Sequence, residues 1–101
     1  MPRPCKPRCI AAKPGVTYFK PRGIPLRELE EVILGVDELE ALRLADVEGL
    51  SMKEGAVAMR ISRHTFGRVL RRARQTVAQA LVLGLAVRIE GGEYAVANPS
   101  E

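Results

Sequence analysis

Between Phe66 and Leu81 the apolar residues fall at 66, 69, 70, 73, 77, 80 and 81, the i, i+3, i+4, i+7 spacing of one buried helical face. The stripe spans about 120° of a wheel drawn at roughly 100° per residue and predicts a helix over 63–83. Ser62 stands just before it, where a serine oxygen can accept from the unpaired amides of a first turn. A shorter helix is predicted over 52–59. It opens at Ser51 with Glu54 three residues later, the capping-box spacing in which each side chain bonds the other residue's backbone N–H. Residues 51–75 therefore read as a helix-turn-helix. A third helix is predicted over 37–47, opened by Asp37 with Glu40 three residues on. Leu39, Leu42, Leu44 and Ala45 make it apolar on more than one side, as expected of a helix wedged between neighbours.

The remaining pattern is extended or ambiguous. Val16 to Phe19 is β-branched and aromatic and stops before Pro21, which predicts one short strand. Leu26, Leu29 and Ile33 have helical spacing whereas Glu31 to Leu34 looks extended, so 26–34 stays undecided. After Gly84 the pattern alternates, with Val87 and Ile89 before Gly91-Gly92 and Tyr94 and Val96 after. This predicts a β-hairpin that sets Glu90 opposite Glu93, a mildly unfavourable pair. Two carboxylates at its tip would face phosphates unfavourably, so the hairpin is expected to brace the fold or join subunits. Prolines at 2, 4, 7 and 14 among basic residues predict an extended arm over 1–15. The expected fold is mainly α: a three-helix helix-turn-helix domain over 16–96 with a short N-terminal strand and a C-terminal β-hairpin, then a tail over 97–101.

Charge changes the picture on the outer face of the long helix. Opposite its apolar stripe stand His64, Arg68, Arg71 and Gln75, flanked by Thr65 and Arg72 on one side and Arg63 and Arg74 on the other. From Gly55 to Arg88 there are seven arginines and no Asp or Glu, so no i, i+4 carboxylate on the helix can neutralise them. The competing description, a solvated face laced with ion pairs, lacks its acids here. The net charge of +4 conceals blocks of +6 over 1–22, −6 over 23–54, +7 over 55–88 and −3 over 89–101. Basic blocks of this size attract the phosphate backbone and release condensed counterions.

Composition narrows the class. With 101 residues, 47% hydrophobic and 28% charged, the chain fits one small domain with a limited core, and a dimer would bury more surface. The longest uncharged run, Gln75 to Val87, has thirteen residues, too few to span a bilayer. The basic N-terminus lacks the apolar stretch of a secretory signal, and a cytoplasmic protein is expected. Cys5 and Cys9 supply at most two ligands of a four-ligand zinc site. Reduced thiols and no metal are expected, with a thiol- or metal-responsive switch as the alternative. The sole histidine has no recognisable nucleophile or carboxylate partner and no phosphate-cradling glycine loop is present, so neither catalysis nor a cofactor is implied. Two Phe and two Tyr make a weak stacking platform for RNA.

The segments VTYFKPRGIPLRELEEV, VDELEALRLADVEGLS, ISRHTFGRVLRRAR and RIEGG carry a resemblance that extends to about residue 96. The chain resembles a small bacterial and archaeal family of predicted DNA-binding proteins of unknown function, whose helix-turn-helix is similar to region four of sigma factors. The resemblance implies a transcription-type DNA-binding role. Two positions depart from the sigma-like pattern: Gly55 stands where a larger apolar residue is usual, and Arg60 where the turn commonly has glycine. A glycine within a helix costs about 0.5–1 kcal/mol against alanine, and a non-glycine residue in a left-handed turn costs roughly 1–2 kcal/mol.

The expected function is sequence-specific binding of double-stranded DNA by a transcriptional regulator, a homodimer on paired half-sites with helix 63–83 in the major groove. Arg63, His64, Thr65 and Arg68 are the base-reading candidates, because arginine donates two bonds to guanine and a threonine methyl touches thymine. Lys53, Arg60, Ser62, Arg71 and Arg72 are the phosphate candidates. Arg3, Lys6 and Arg8 are the candidate arm contacts, for an arm lying along phosphates or entering a minor groove, with a merely solubilising tail as the alternative. The alternative is a sigma-like interaction module that binds transcription machinery through the acidic 28–48 stretch and has no operator of its own.

Overall fold

The computed structural model describes residues 7–97, which form three helices and five short strands. Strand β1 (Arg8–Ile10) comes first, then β2 (Tyr18–Phe19) and a single helical turn at Leu26–Glu28. The undecided stretch resolves into that turn and strand β3 (Glu31–Leu34). Helix α1 (Val36–Leu42) follows. Five more residues, Arg43–Val47, continue it in a wider coil that closes when Glu48 N–H bonds to Arg43 O at 2.8 Å. Helices α2 (Met52–Met59) and α3 (Arg63–Leu83) occupy the positions their apolar periodicity predicts. Strands β4 (Ala86–Ile89) and β5 (Tyr94–Val96) end the described chain.

The first of these helices starts one residue earlier than expected, and the reason is local. Gly35, not Asp37, precedes its first turn, and the Gly35 N–H donates to Glu38 Oε1 at 2.7 Å. That frees Asp37, 4% exposed, for a tertiary role.

The hairpin expectation is corrected. Strands β4 and β5 do not pair: β4 lies between β2 and β3, antiparallel to β2 and parallel to β3, with Val87 opposite both Phe19 and Val32. Both edges of β4 are used, so β5 pairs elsewhere. It runs parallel to β1 in the register Arg8–Tyr94, Cys9–Ala95 and Ile10–Val96. Gly91 and Gly92 turn the chain with φ of 73° and 97°, values that favour glycine. At Gly92 a Cβ would lie 2.3 Å from Asp37 Oδ1, and Val36 N–H bonds to Gly91 O at 2.9 Å. These glycines dock on the start of α1 and do not close a two-residue turn. Glu90 and Glu93 are therefore not forced opposite each other.

The arm expectation is corrected for residues 8–10. Ile10 is 1% exposed and packs with Leu34, Val36, Ala73 and Ile89 in one core cluster. Arg8 Nη1 donates to Asp37 Oδ2 at 2.5 Å, and Ala11 N–H donates to Glu40 Oε2 at 2.9 Å. Pairing with β5 and these two carboxylates supply the order that prolines and charge alone do not reveal. Arg3, Cys5, Lys6 and the tail beyond residue 97 lie outside the described residues.

A second cluster joins Ala41, Leu44, Ala56, Met59, Phe66, Val69 and Leu70, so α3 is packed on α1 and α2 through its first half and on the strands further along. Of its expected stripe, Phe66, Val69, Leu70, Ala73 and Ala80 are buried and Val77 is partly buried. Leu81 is the exception at 79% exposed, because it lies on the rim of an open groove.

Candidate nucleic-acid interface

The connection between α2 and α3 is three residues long and fixed at both ends. Arg60 ends α2 in the left-handed region, φ 56° and ψ 42°, and its N–H bonds back to Val57 O at 3.1 Å. Ser62 then caps α3: its Oγ accepts from Thr65 N–H at 3.0 Å and its hydroxyl donates to Thr65 Oγ1 at 2.9 Å. The capping box at the start of α2 is also formed. Ser51 N–H donates to Glu54 Oε1 at 2.9 Å and Glu54 N–H to Ser51 Oγ at 3.1 Å; the Ser51 N–H bond, helped by the Ser51 hydroxyl, holds the Glu54 carboxyl below its ordinary range.

These caps aim the first turns of α3 outward. Arg63, His64, Arg68 and Arg71 line one shallow groove of about 440 Å³, together with Met52 and Gly67. Gly67 brings α2 close, since a Cβ there would lie 2.8 Å from Met52 Cε. Thr65 and Arg72 instead line a neighbouring groove of about 650 Å³, which Arg68 also borders. Lys53 and Arg60 are exposed on α2 and at its end. Thr65 Oγ1 accepts from Ser62 in the cap, which leaves its methyl group and its hydroxyl proton to offer a ligand. Ser62 likewise has its side chain engaged by Thr65.

Two of the seven arginines are neutralised across the fold. Arg74 holds Asp46 through two bonds of 2.6 and 3.0 Å, and the Arg74 bond keeps the Asp46 carboxyl below its usual range. Arg88 holds Glu31 through bonds of 2.8 and 3.1 Å and stacks 5.0 Å from the Tyr18 ring centroid. Arg88 and the Tyr18 hydroxyl, which donates to Glu31 at 2.6 Å, lower the Glu31 carboxyl, while that same bond raises the Tyr18 hydroxyl. Helical spacing could not show either pairing, because the acids come from distant segments. Among the described residues Arg60, Arg63, Arg68, Arg71 and Arg72 have no carboxylate within ion-pair distance.

Of the arm contacts, Arg8 is placed away from the role expected of it, committed to Asp37 inside the fold. The structure brings carboxylates to the same face. The groove beside Thr65, Arg68 and Arg72 is also lined by Glu38, Glu90, Glu93 and the Arg8–Asp37 pair. The −6 and −3 charge blocks hinted at such acids, but their position depends on the Gly91-Gly92 docking. Among the described residues no group of three or more His, Cys, Asp or Glu could hold a metal ion, and Cys9 sits partly buried in β1 as a free thiol. No helix among them is long and apolar enough to cross a membrane.

Residues 1–97 match the family model described as "Protein of unknown function DUF134". The chain belongs to the DUF134 family. Relatives within reach of it carry the name UPF0251 protein. That of Desulfosudis oleivorans is 62% identical over 98% of this chain and 72% of its own length. That of Caldanaerobacter subterraneus subsp. tengcongensis is 59% identical over 95% of the chain and 81% of its own length, and that of Rhodospirillum rubrum 57% identical over 94% and 66%. No solved structure matches this DUF134 chain.

Proposed function

We propose that the chain is a sequence-specific double-stranded DNA-binding protein, a transcriptional regulator whose α2 and α3 act as a helix-turn-helix of the sigma region-four kind. The observation that carries this reading is the set of five arginines, on the turn and outer face of α3, that have no carboxylate partner among the described residues. Exposed, unpaired guanidinium groups on one rigid helix repel each other mildly, and a polyanion relieves that repulsion while releasing its counterions. Arg63, His64 and Arg68 share the groove that would meet base edges, with the Thr65 methyl beside them. Lys53, Arg60, Arg71 and Arg72 contact phosphates, and Ser62 serves by fixing the helix start. A two-fold pair of such modules reads half-sites one helical turn apart.

The second reading, an interaction module that presents the acidic 28–48 stretch to transcription machinery, has less support. Glu31, Asp37, Glu40 and Asp46 in that stretch are bonded to Arg88, Arg8, Arg43 and Arg74, so much of its charge is spent inside the fold.

Titration of a random-sequence duplex at several salt concentrations tests the DNA reading. Four phosphate contacts predict a slope of log affinity against log salt of about −3 to −4 per protomer. A slope near zero, or no binding at low salt, contradicts it.

A further inference from the structure

The two grooves beside α3 share Arg68 but differ in charge. At about 100° per residue, Arg63, Gly67 and Arg71 fall on one side of Arg68 and Thr65, Arg72 and Thr76 on the other, which is how the two linings divide. The groove of about 440 Å³ is bordered by Arg63, Arg68 and Arg71 and by no carboxylate. That of about 650 Å³ has three arginines as well, Arg8, Arg68 and Arg72, but sets four carboxylates among them, Asp37, Glu38, Glu90 and Glu93. A polyanion is attracted to the first side and gains nothing from the second.

The four carboxylates are not equally free. Arg8 neutralises Asp37, and Glu38 Oε1 accepts from Gly35 N–H at 2.7 Å. Glu90 has Arg88 Nε at 3.4 Å, but that guanidinium already holds Glu31 through two bonds. Glu93 is exposed and has no cation within ion-pair distance among the described residues. Both glutamates flank Gly91-Gly92, and the Val36 N–H bond to Gly91 O at 2.9 Å fixes that turn on the start of α1. Their place beside α3 is therefore set by the backbone. Neither reaches Arg68 or Arg72 as an ion pair, yet a groove of this volume is on the order of 10 Å across, about one Debye length at 0.1 M salt.

We infer that Glu90 and Glu93 are specificity-determining residues of the DNA-binding reading, on which this part rests. They deny phosphate the Arg72 and Thr76 side of α3 and leave the duplex the Arg63 and Arg71 side. Non-specific binding is almost wholly electrostatic and lets a duplex lie anywhere on a basic surface. Carboxylates beside half of that surface raise the energy of the placements there, as like charges across an interface suppress wrong arrangements. A register fixed by base contacts on the other side is penalised less. Arg72 then meets phosphate at the boundary between the two sides, and Arg68 reads from the side without acids.

Affinity of the full chain for a duplex selected from a random library and for an unselected duplex, each at two salt concentrations, tests this. Glu90→Gln with Glu93→Gln is expected to tighten binding to the unselected duplex about five- to tenfold at about 10 mM salt and less than about twofold at about 200 mM, because the Debye length falls from about 30 Å to under about 10 Å. The selected duplex gains less, so the ratio of the two affinities falls. Glu28→Gln with Glu30→Gln removes the same charge from exposed residues outside both grooves and should change either affinity less than about twofold. Glu93→Gln alone acts in the same direction at smaller size and replaces the double variant if circular dichroism shows that one unfolded. Equal gains from the two double variants assign the effect to net charge and overturn the inference. So does a wild-type chain that binds DNA beside a Glu90→Gln, Glu93→Gln variant that binds no better, or one that gains equally on both duplexes. A wild-type chain with no affinity for any duplex at low salt refutes the DNA reading itself, and this inference with it.

Discussion

A Cβ on Gly55 would lie 2.3 Å from Cζ of Phe66, and Phe66 is fully buried. Glycine at this point of α2 is therefore a packing requirement, and the larger residue usual in sigma-like helices has no room. Helix propensity alone favours alanine by about 0.5–1 kcal/mol, while overpacking a dense core costs about 1–3 kcal/mol. The clash dominates because the ring is the largest side chain in its cluster. Gly55→Ala is expected to lower stability by about 1–2 kcal/mol in urea unfolding, and Phe66→Leu placed in the same chain should recover part of the loss. A stabilised Gly55→Ala variant would show that the ring moves freely.

Arg60 holds a left-handed conformation that glycine adopts with less strain. Arg60→Gly is expected to leave stability unchanged or raise it by up to about 1 kcal/mol, since relief of the strained φ competes with the added freedom of the unfolded chain. Its affinity for duplexes of any sequence should fall, with the salt slope reduced by about 0.9. A variant that gains stability and keeps the wild-type slope would place Arg60 away from phosphate.

Arg72 and Arg74 are neighbours in sequence with different surroundings. Asp46 occupies the Arg74 guanidinium through two bonds, whereas Arg72 has no carboxylate within ion-pair distance among the described residues. Arg74→Ala should change DNA affinity little, Arg72→Ala should weaken binding to all duplexes with a slope loss near 0.9, and Asp46→Ala, by releasing Arg74, should strengthen non-specific binding. Equal losses from the two arginine substitutions in a fluorescence titration would contradict this division.

Glu40 ties β1 to α1. Burial pushes its carboxyl up, but the bonds from Arg43 at 2.9 Å and from Ala11 N–H outweigh burial, and the group sits below its ordinary value of 4.5. A carboxyl depressed in the folded state stabilises the fold above the unfolded value and loses that contribution as pH falls through the lower folded value. Stability should therefore decline as pH drops below about 4.5. Glu40→Gln should cost about 1–3 kcal/mol at neutral pH and make the acid decline shallower. Thermal melts from pH 7 to pH 3 check this, and an unchanged acid limb would remove Glu40 from the cause.

The helices were legible because their signals are local. The stripe from Phe66 to Ala80 and the Ser51–Glu54 box depend on residues three or four apart, and Ser62 acts on the turn beside it. The strands were less so, because β4 chooses partners from Tyr18–Phe19 and Glu31–Leu34, many tens of residues upstream. Alternation in Val87 and Ile89 fixes a face but not a neighbour, and Gly91-Gly92 suits a docking turn as well as a hairpin. At the candidate site, the outward residues of α3 followed from the helical wheel. The pairing of Arg74 with Asp46, the pairing of Arg8 with Asp37 and the placing of Glu90 and Glu93 in the groove beside Arg72 are tertiary, and spacing along the chain carries no trace of them.

Selection of the wild-type chain and of Arg68→Ala from a random duplex library, followed by sequencing and affinity measurement at fixed salt, tests base reading by α3 most directly. The wild-type chain should enrich a defined motif, and Arg68→Ala should lose about 1–3 kcal/mol on that motif with a smaller loss on unselected duplex. No enrichment by the wild-type chain, or equal losses on motif and random DNA, would contradict it.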